Sequence, residues 1–114
     1  MNTSLAQDAS RLPDLLKKTL DVSVDYLGSI DQRPPATDFV RNDPLDLPDD
    51  GLGTEQTLDL FAQRYGQTMP ASNGPRFWGF VTGGATPAAL VGDWLTSVYD
   101  LNLTGAANST APNI

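Results

Sequence analysis

Lys17 and Lys18 are adjacent, and they are the only two lysines in the 114-residue chain. A lysine that forms a Schiff base has to be desolvated and held rigidly. These two lie among acidic residues on the polar side of an amphipathic helical pattern, where lysine is ordinarily solvated. The simpler interpretation is therefore a pair of surface charges.

Two further patterns have the composition of ligand sites but not the spacing. The turn at residues 83–86, Gly-Gly-Ala-Thr, precedes a helical pattern, and the amides at a helix start attract anions. It lacks the ending of a phosphate-binding loop and the spacing of a dinucleotide fingerprint, so a structural turn is the simpler explanation. The acidic run at residues 43–50 lacks the order of a calcium-binding loop and is interpreted as a solvated linker.

Arg76 is an isolated cation beside the aromatic strip at residues 77–81. It could hold a carboxylate in a bidentate fork, or it could stack on an aromatic ring or cap a helix end. The strip itself is too short to distinguish a strand from a buried aromatic segment. Phe80, Val81 and Thr82 could line a pocket, although aromatic strips more often lie in a core.

Composition excludes several classes of protein. The chain has no cysteine and no histidine, so it cannot build a zinc finger, a thiol nucleophile, a disulfide framework or a Ser-His-Asp triad. Its net charge of −7 argues against nucleic acid and anionic membranes as partners. Because no secretion signal or membrane-length apolar run is visible, we predict a cytoplasmic protein.

Hydrophobic periodicity predicts a first helix that begins near Ser10 or Leu12 and closes at Gly28. Residues 33–53 carry prolines, glycines and aspartates without periodicity and are predicted to form an extended arm. The apolar stripe of this helix recurs at three- and four-residue steps: Leu12, Leu15, Leu16, Leu20, Val24, Leu27 and Ile30.

A second helix is predicted from Glu55 to Tyr65, with Thr54 as its N-cap and Gly66 at the position after its C-cap. A third is predicted from Pro87 to about Leu101, capped by the residue that precedes the proline. Apolar residues cover most of the circumference of this third helix, which is typical of a helix buried on several sides.

The preceding 86 residues carry too little apolar material to surround the third helix. The final Ala-Pro-Asn-Ile resembles another helix start that is cut short. These two features together favour an incomplete unit, the front of a larger protein that lacks the part for chemistry.

The segments at residues 74–95 and 108–114 resemble the N-terminal region of the group II pyridoxal-phosphate-dependent amino acid decarboxylases. The matching elements are Pro-Arg-Phe-Trp-Gly-Phe, Gly-Gly-Ala-Thr-Pro, the apolar Ala-Ala-Leu-Val-Gly-Asp-Trp-Leu and the Ala-Pro opening. The earlier helix ending in Tyr-Leu-Gly-Ser-Ile and the proline-bearing arm are also similar to that family.

This resemblance implies a mainly α chain, the helical N-terminal arm of a fold-type I, transferase-like α/β enzyme. Residues 1–53 would be the amphipathic helix and arm, and residues 54–114 the helical segment, aromatic strip and start of a truncated large domain. The parent would be a homodimeric carboxy-lyase of amino acid metabolism that uses pyridoxal 5'-phosphate. Its cofactor and catalytic residues would lie beyond this chain, in the C-terminal part that completes the enzyme.

By position in the family, Phe80, Val81 and Thr82 would lie on the side of the amino acid substrate. Thr104, Gly105, Ala106 and Ala107 would form the loop that approaches the active site of the neighbouring subunit. No catalytic, cofactor-binding or metal-binding residue is predicted in this chain. The alternative is a free-standing, non-catalytic helical module that associates with an intact enzyme subunit.

Overall fold

The computed structural model describes residues 3–38 and 41–100. Within these ranges the backbone forms helices and no strand, which confirms the prediction of a mainly helical chain. The four α-helices are α1 (Thr3–Ser10), α2 (Leu12–Gly28), α3 (Thr54–Tyr65) and α4 (Pro87–Tyr99). The chain divides after Thr82 into two compact units, while the predicted division at residue 53 stays a prediction.

α1 and α2 follow one another with a single residue between them. The hydroxyl of Ser10 donates to the carbonyl of Gln7, and the amide of Arg11 donates to the same carbonyl at 3.1 Å, so α1 closes there. Pro13 lies in the first turn of α2, where its missing N–H leaves no partner unsatisfied. The predicted start near Leu12 is confirmed, and the residues before it form a helix of their own.

α3 begins differently from the prediction. Thr54 is its first helical residue, and the N-cap position belongs to Gly53, which has no side chain to offer. A carboxylate from α1 replaces the cap: Oδ2 of Asp8 accepts hydrogen bonds from the amide of Thr54 at 2.8 Å and its hydroxyl at 2.6 Å. The prediction of Thr54 as N-cap is therefore wrong, because the hydroxyl donates to another helix.

The end of α3 also departs from the pattern. Gly66 is predicted at the position after the C-cap, yet it is the C-cap itself, with φ −55° and ψ −37°, and it continues into a single 3₁₀ turn, Gly66–Thr68. Arg64 reaches back from α3 and donates to the carbonyl of Asp43, so the arm lies along this helix. Residues 41–48 have no regular secondary structure, as predicted for the arm.

The first unit is held together by polar cross-links more than by a core. Leu15 and Ala71 are the buried apolar residues of the described part. The phenol of Tyr26 donates to the carbonyl of Pro70 at 2.8 Å, and the guanidinium of Arg33 lies 4.8 Å from the centroid of that phenol ring. The amide of Ala71 donates to the carbonyl of Pro34 at 3.0 Å. These contacts join the end of α2 to the segment that follows α3.

In the second unit, α4 confirms the predicted helix start. The hydroxyl of Thr86 accepts the amide of Ala89 at 3.2 Å, and Pro87 opens the first turn. The helix ends at Tyr99, two residues before the predicted end, because Asp100 adopts a left-handed conformation at φ 46°.

Candidate functional site

A tight turn follows Trp78 and presents the residues that were predicted to face a substrate. The carbonyl of Gly79 accepts hydrogen bonds from both the amide of Thr82, at 3.2 Å, and its hydroxyl, at 3.0 Å. Residues 78–82 are called the aromatic turn below. The hydroxyl of Thr82 therefore donates its proton within the turn and not to a ligand.

Phe80 and Val81, at the centre of the aromatic turn, both have left-handed backbones, with φ 52° and 58°. Two consecutive positive φ values are the geometry of a turn that ordinarily carries Asn-Gly. A β-branched residue such as valine is an outlier there, because its Cβ crowds the following carbonyl. The turn therefore holds backbone strain of a kind that often accompanies functional surfaces.

The large side chains of the aromatic turn are in solvent. Trp78 is 93% exposed and Phe80 95% exposed, and Val81 is fully exposed. The interpretation of residues 77–81 as a strand or a buried strip is wrong. The chain turns back on itself there, and no described residue of its unit covers the rings of Trp78 and Phe80. With its only hydroxyl used internally, the turn offers apolar contact area and no acid, base or nucleophile.

Arg76 anchors the base of the aromatic turn. One of its terminal nitrogens, Nη2, donates to the backbone carbonyls of Asp31 at 2.9 Å and Arg33 at 2.6 Å. Gly74 lies close to the same region, where a Cβ would come within 3.1 Å of the Ala71 carbonyl. Of the alternatives left open by the sequence, the structure supports a structural arginine that closes the end of α2.

A second apolar surface lies on α4. Its residues are exposed throughout, and the described part of its unit, residues 83–100, places nothing over them. One stripe follows the helical repeat at steps of three and four residues. We call this the α4 stripe: Val91, Trp94, Leu95 and Val98.

The glycine turn before α4 gives no support to a phosphate site. The amide of Ala89, a donor that an anion at the helix start would use, is taken by the hydroxyl of Thr86. Gly84 has φ 75°, so the glycine is needed for the backbone path itself. Both features are those of a structural turn.

The two lysines do not fit the cofactor that the family resemblance implies. Lys18 donates a hydrogen bond to Asp59 at 2.6 Å, which raises the pKa of Lys18, and desolvation only partly opposes this. Lys17 is paired with Asp21 at 3.0 Å on the surface. A Schiff-base lysine needs a desolvated site without such partners, so neither residue is suited to hold pyridoxal phosphate.

A charged junction, which local sequence patterns do not reveal, joins the start of α3 to α1 and α2. Arg11 lies 2.8 Å from Glu55, and Lys18 lies 3.5 Å from the same carboxylate. Lys17 pairs with Asp21 within α2, whereas Lys18 pairs across to α3. Only a prediction of which helices meet could have found this junction, because its members lie far apart in the chain.

The remaining predicted loop, residues 104–107, lies outside the described residues. Within the described ranges, no three acidic side chains come together as a candidate metal site. In that same part of the chain, each helix is too short or too polar to cross a membrane.

Comparison of this chain with protein-family models, with curated proteins and with solved structures finds no match.

Replacing Val81 by glycine is expected to stabilise the first unit by about 0.5–1 kcal/mol. The gain is the relief of a left-handed valine, about 1–2 kcal/mol, less the entropy cost of glycine. Urea unfolding of the full chain measures it. The matched control is Val24→Gly, at an exposed position of α2 with ordinary helical geometry, which is expected to destabilise. If both substitutions lowered the free energy of unfolding equally, the proposed backbone strain at Val81 would be contradicted.

Proposed function

We propose that this chain is the N-terminal, dimer-forming and substrate-side segment of a pyridoxal-phosphate-dependent amino acid decarboxylase of group II. It contributes walls and subunit surface, and the catalytic residues belong to the rest of the parent enzyme. Phe80, Val81 and Thr82 face the amino acid substrate, and residues 104–107 approach the neighbouring active site. The proposal includes a cytoplasmic location and a homodimer.

One observation carries this proposal: the largest apolar side chains of the predicted site are in solvent. The aromatic turn exposes Trp78, Phe80 and Val81 almost completely, and α4 is exposed along its whole length. Soluble monomers seldom leave contiguous apolar surface uncovered, and such surface marks contact with another chain or a ligand. A segment that packs against a second subunit and borders a substrate pocket accounts for both surfaces.

The chemistry of the parent reaction is outside this chain. Pyridoxal phosphate supplies an electron sink for the carbanion left when carbon dioxide departs. Both lysines are held in ion pairs, Lys17 with Asp21 and Lys18 with Asp59, which supports a segment that contributes no lysine to that step. Its role is to position side chains next to the substrate and to exclude water with the exposed rings.

The second candidate is a free-standing, non-catalytic helical module. The cross-links of the first unit favour it, because Tyr26 to Pro70 and Arg76 to the end of α2 close the unit with its own residues. These two contacts span 44 and 45 residues of sequence. A unit with such closure can fold alone and present the aromatic turn to a partner.

Two experiments test the proposed function: an activity assay of the purified chain and a reading of its coding sequence. Supplied with pyridoxal phosphate and an equimolar mixture of amino acids, it is expected to release no carbon dioxide, and release would place catalytic groups within it. In the reading frame beyond the codon for Ile114 we expect a glutamate, a long helix and later a His-Lys pair. A cooperatively unfolding, monodisperse chain with no such continuation would favour the module instead.

A further inference from the structure

The first turn of α3 is completed by a residue from another helix. The amide and the hydroxyl of Thr54 both donate to Oδ2 of Asp8. The N-cap residue, Gly53, has no side chain that could accept these hydrogen bonds. The first four amides of a helix have no partner within it, and a side-chain oxygen ordinarily satisfies one of them. Here α1 supplies that oxygen across 46 residues of sequence.

Charged side chains extend this contact along α3. The carboxylate of Glu55 lies between Arg11 and Lys18, at 2.8 and 3.5 Å, and Lys18 also reaches Asp59 at 2.6 Å. Asp8 and Asp14 add to the negative field at Arg11. Negative and positive side chains therefore alternate from α1, through the start of α2, to the first two turns of α3.

At its other end α3 is held by two further polar contacts, from Arg64 to the carbonyl of Asp43 and from Arg33 to the carbonyl of Gly66, and apolar burial adds little. α3 has no buried residue, and α2 buries only Leu15. Apolar burial is the usual force that fixes one helix on another, and it is small here. The polar contacts at the start of α3 thus carry an unusually large share of the attachment.

We infer that Asp8, Arg11, Lys18, Glu55 and Asp59 form an electrostatic latch that couples the order of α1 to the first turn of α3. The latch opens when acid protonates its carboxylates or when salt screens its charges. Opening releases α1 and the helix start together, since each depends on the other for its contacts. This inference is independent of the proposed function.

The pKa directions agree with this geometry. The hydroxyl of Thr54 lowers the pKa of Asp8, and the hydrogen bond from Arg11 lowers the pKa of Glu55. A lowered carboxyl pKa gives stability that is present above the unfolded values, about 3.9 and 4.3, and is lost as pH falls through the folded ones. Glu55 raises the pKa of Arg11, and Asp59 raises the pKa of Lys18. The contribution of Lys18 is therefore lost only above about pH 10.4, and that of Arg11 at a higher pH still.

Amide exchange measured by NMR on the full chain at neutral pH tests the latch. In Asp8→Ala the amide of Thr54 is expected to exchange roughly fivefold faster, the typical size of a lost cap. In Glu55→Gln the helical amides of α1 are expected to exchange faster as well. The matched control is Asp49→Ala, the same substitution in the arm, which should leave both sets of amides unchanged.

Salt and a second variant complete the test. Raising sodium chloride from about 0.05 to about 1 M, where the Debye length falls to about 3 Å, is expected to speed exchange in α1 and at Thr54 together. Thr54→Val removes the hydroxyl half of the contact and keeps the charge of Asp8, so it should raise the midpoint at which Asp8 titrates. The inference would be overturned if exchange at the start of α3 were insensitive to salt and equal in Asp8→Ala and Asp49→Ala.

Discussion

Replacing Val91 by aspartate is expected to weaken self-association of the chain by at least about 30-fold, equivalent to about 2 kcal/mol. Val91 is 59% exposed and lies on the α4 stripe with Trp94, Leu95 and Val98. In the free chain the new carboxylate stays hydrated and costs little. In a dimer that covers the stripe, it would be buried without a partner, which is costly.

Sedimentation equilibrium over a range of chain concentrations measures this effect. The control is Thr96→Asp, which adds the same charge to the same helix on the side away from the stripe. Thr96→Asp is expected to associate like the unchanged protein. A chain that is monomeric at every concentration, or equal association of the two variants, would contradict the α4 stripe as a subunit surface.

Replacing Leu15 by alanine is expected to lower the free energy of unfolding of the first unit by about 2–5 kcal/mol. Leu15 exposes 5% of its surface and is, with Ala71, a buried apolar residue of the described chain. The loss combines the transfer energy of the removed methyl groups with the cavity that they leave. Small domains are stable by about 5–15 kcal/mol, so this one side chain accounts for a large fraction.

The adjacent residue supplies the control for Leu15. Leu16 occupies the same helix but is 39% exposed, so Leu16→Ala is expected to cost only about 1–1.5 kcal/mol. Urea unfolding followed by the helical circular dichroism signal gives both values. If the two substitutions cost the same, the small core around Leu15 does not exist.

Local patterns predicted the helices well because the information for a helix is local. The apolar repeat placed the start of α2 near Ser10 or Leu12, and the Thr-Pro pair placed the start of α4 at Pro87; the helices begin at Leu12 and Pro87. Both starts depend only on neighbouring residues and on the geometry of a first helical turn. The structure confirms both of them.

Long-range contacts could not be predicted in the same way. The pattern treated Leu15 and Leu16 as equal members of one stripe, and only the packing of the unit buries the first and exposes the second. The cap of α3 was assigned to Thr54 because the true acceptor, Asp8, lies 46 residues away. A single sequence carries no signal for such a pair.

The candidate site shows where hydropathy fails as a guide. The composition of the aromatic turn predicted burial, since tryptophan, phenylalanine and valine prefer to leave water. That preference describes what the side chains would gain from a partner, not whether the chain provides one. The structure leaves Trp78 and Phe80 in solvent, and the assignment of Phe80, Val81 and Thr82 to a substrate pocket stays a prediction.

The contact between Asp8 and Thr54 has a practical consequence for anyone who handles this protein. A purification tag, a protease scar or a deletion of the first ten residues would alter α1. Through the contact with Asp8, it would also disturb the start of α3. Affinity handles fused ahead of Thr3 should therefore be removable, and recombinant versions that begin later should be compared for helical content before other properties are attributed to them.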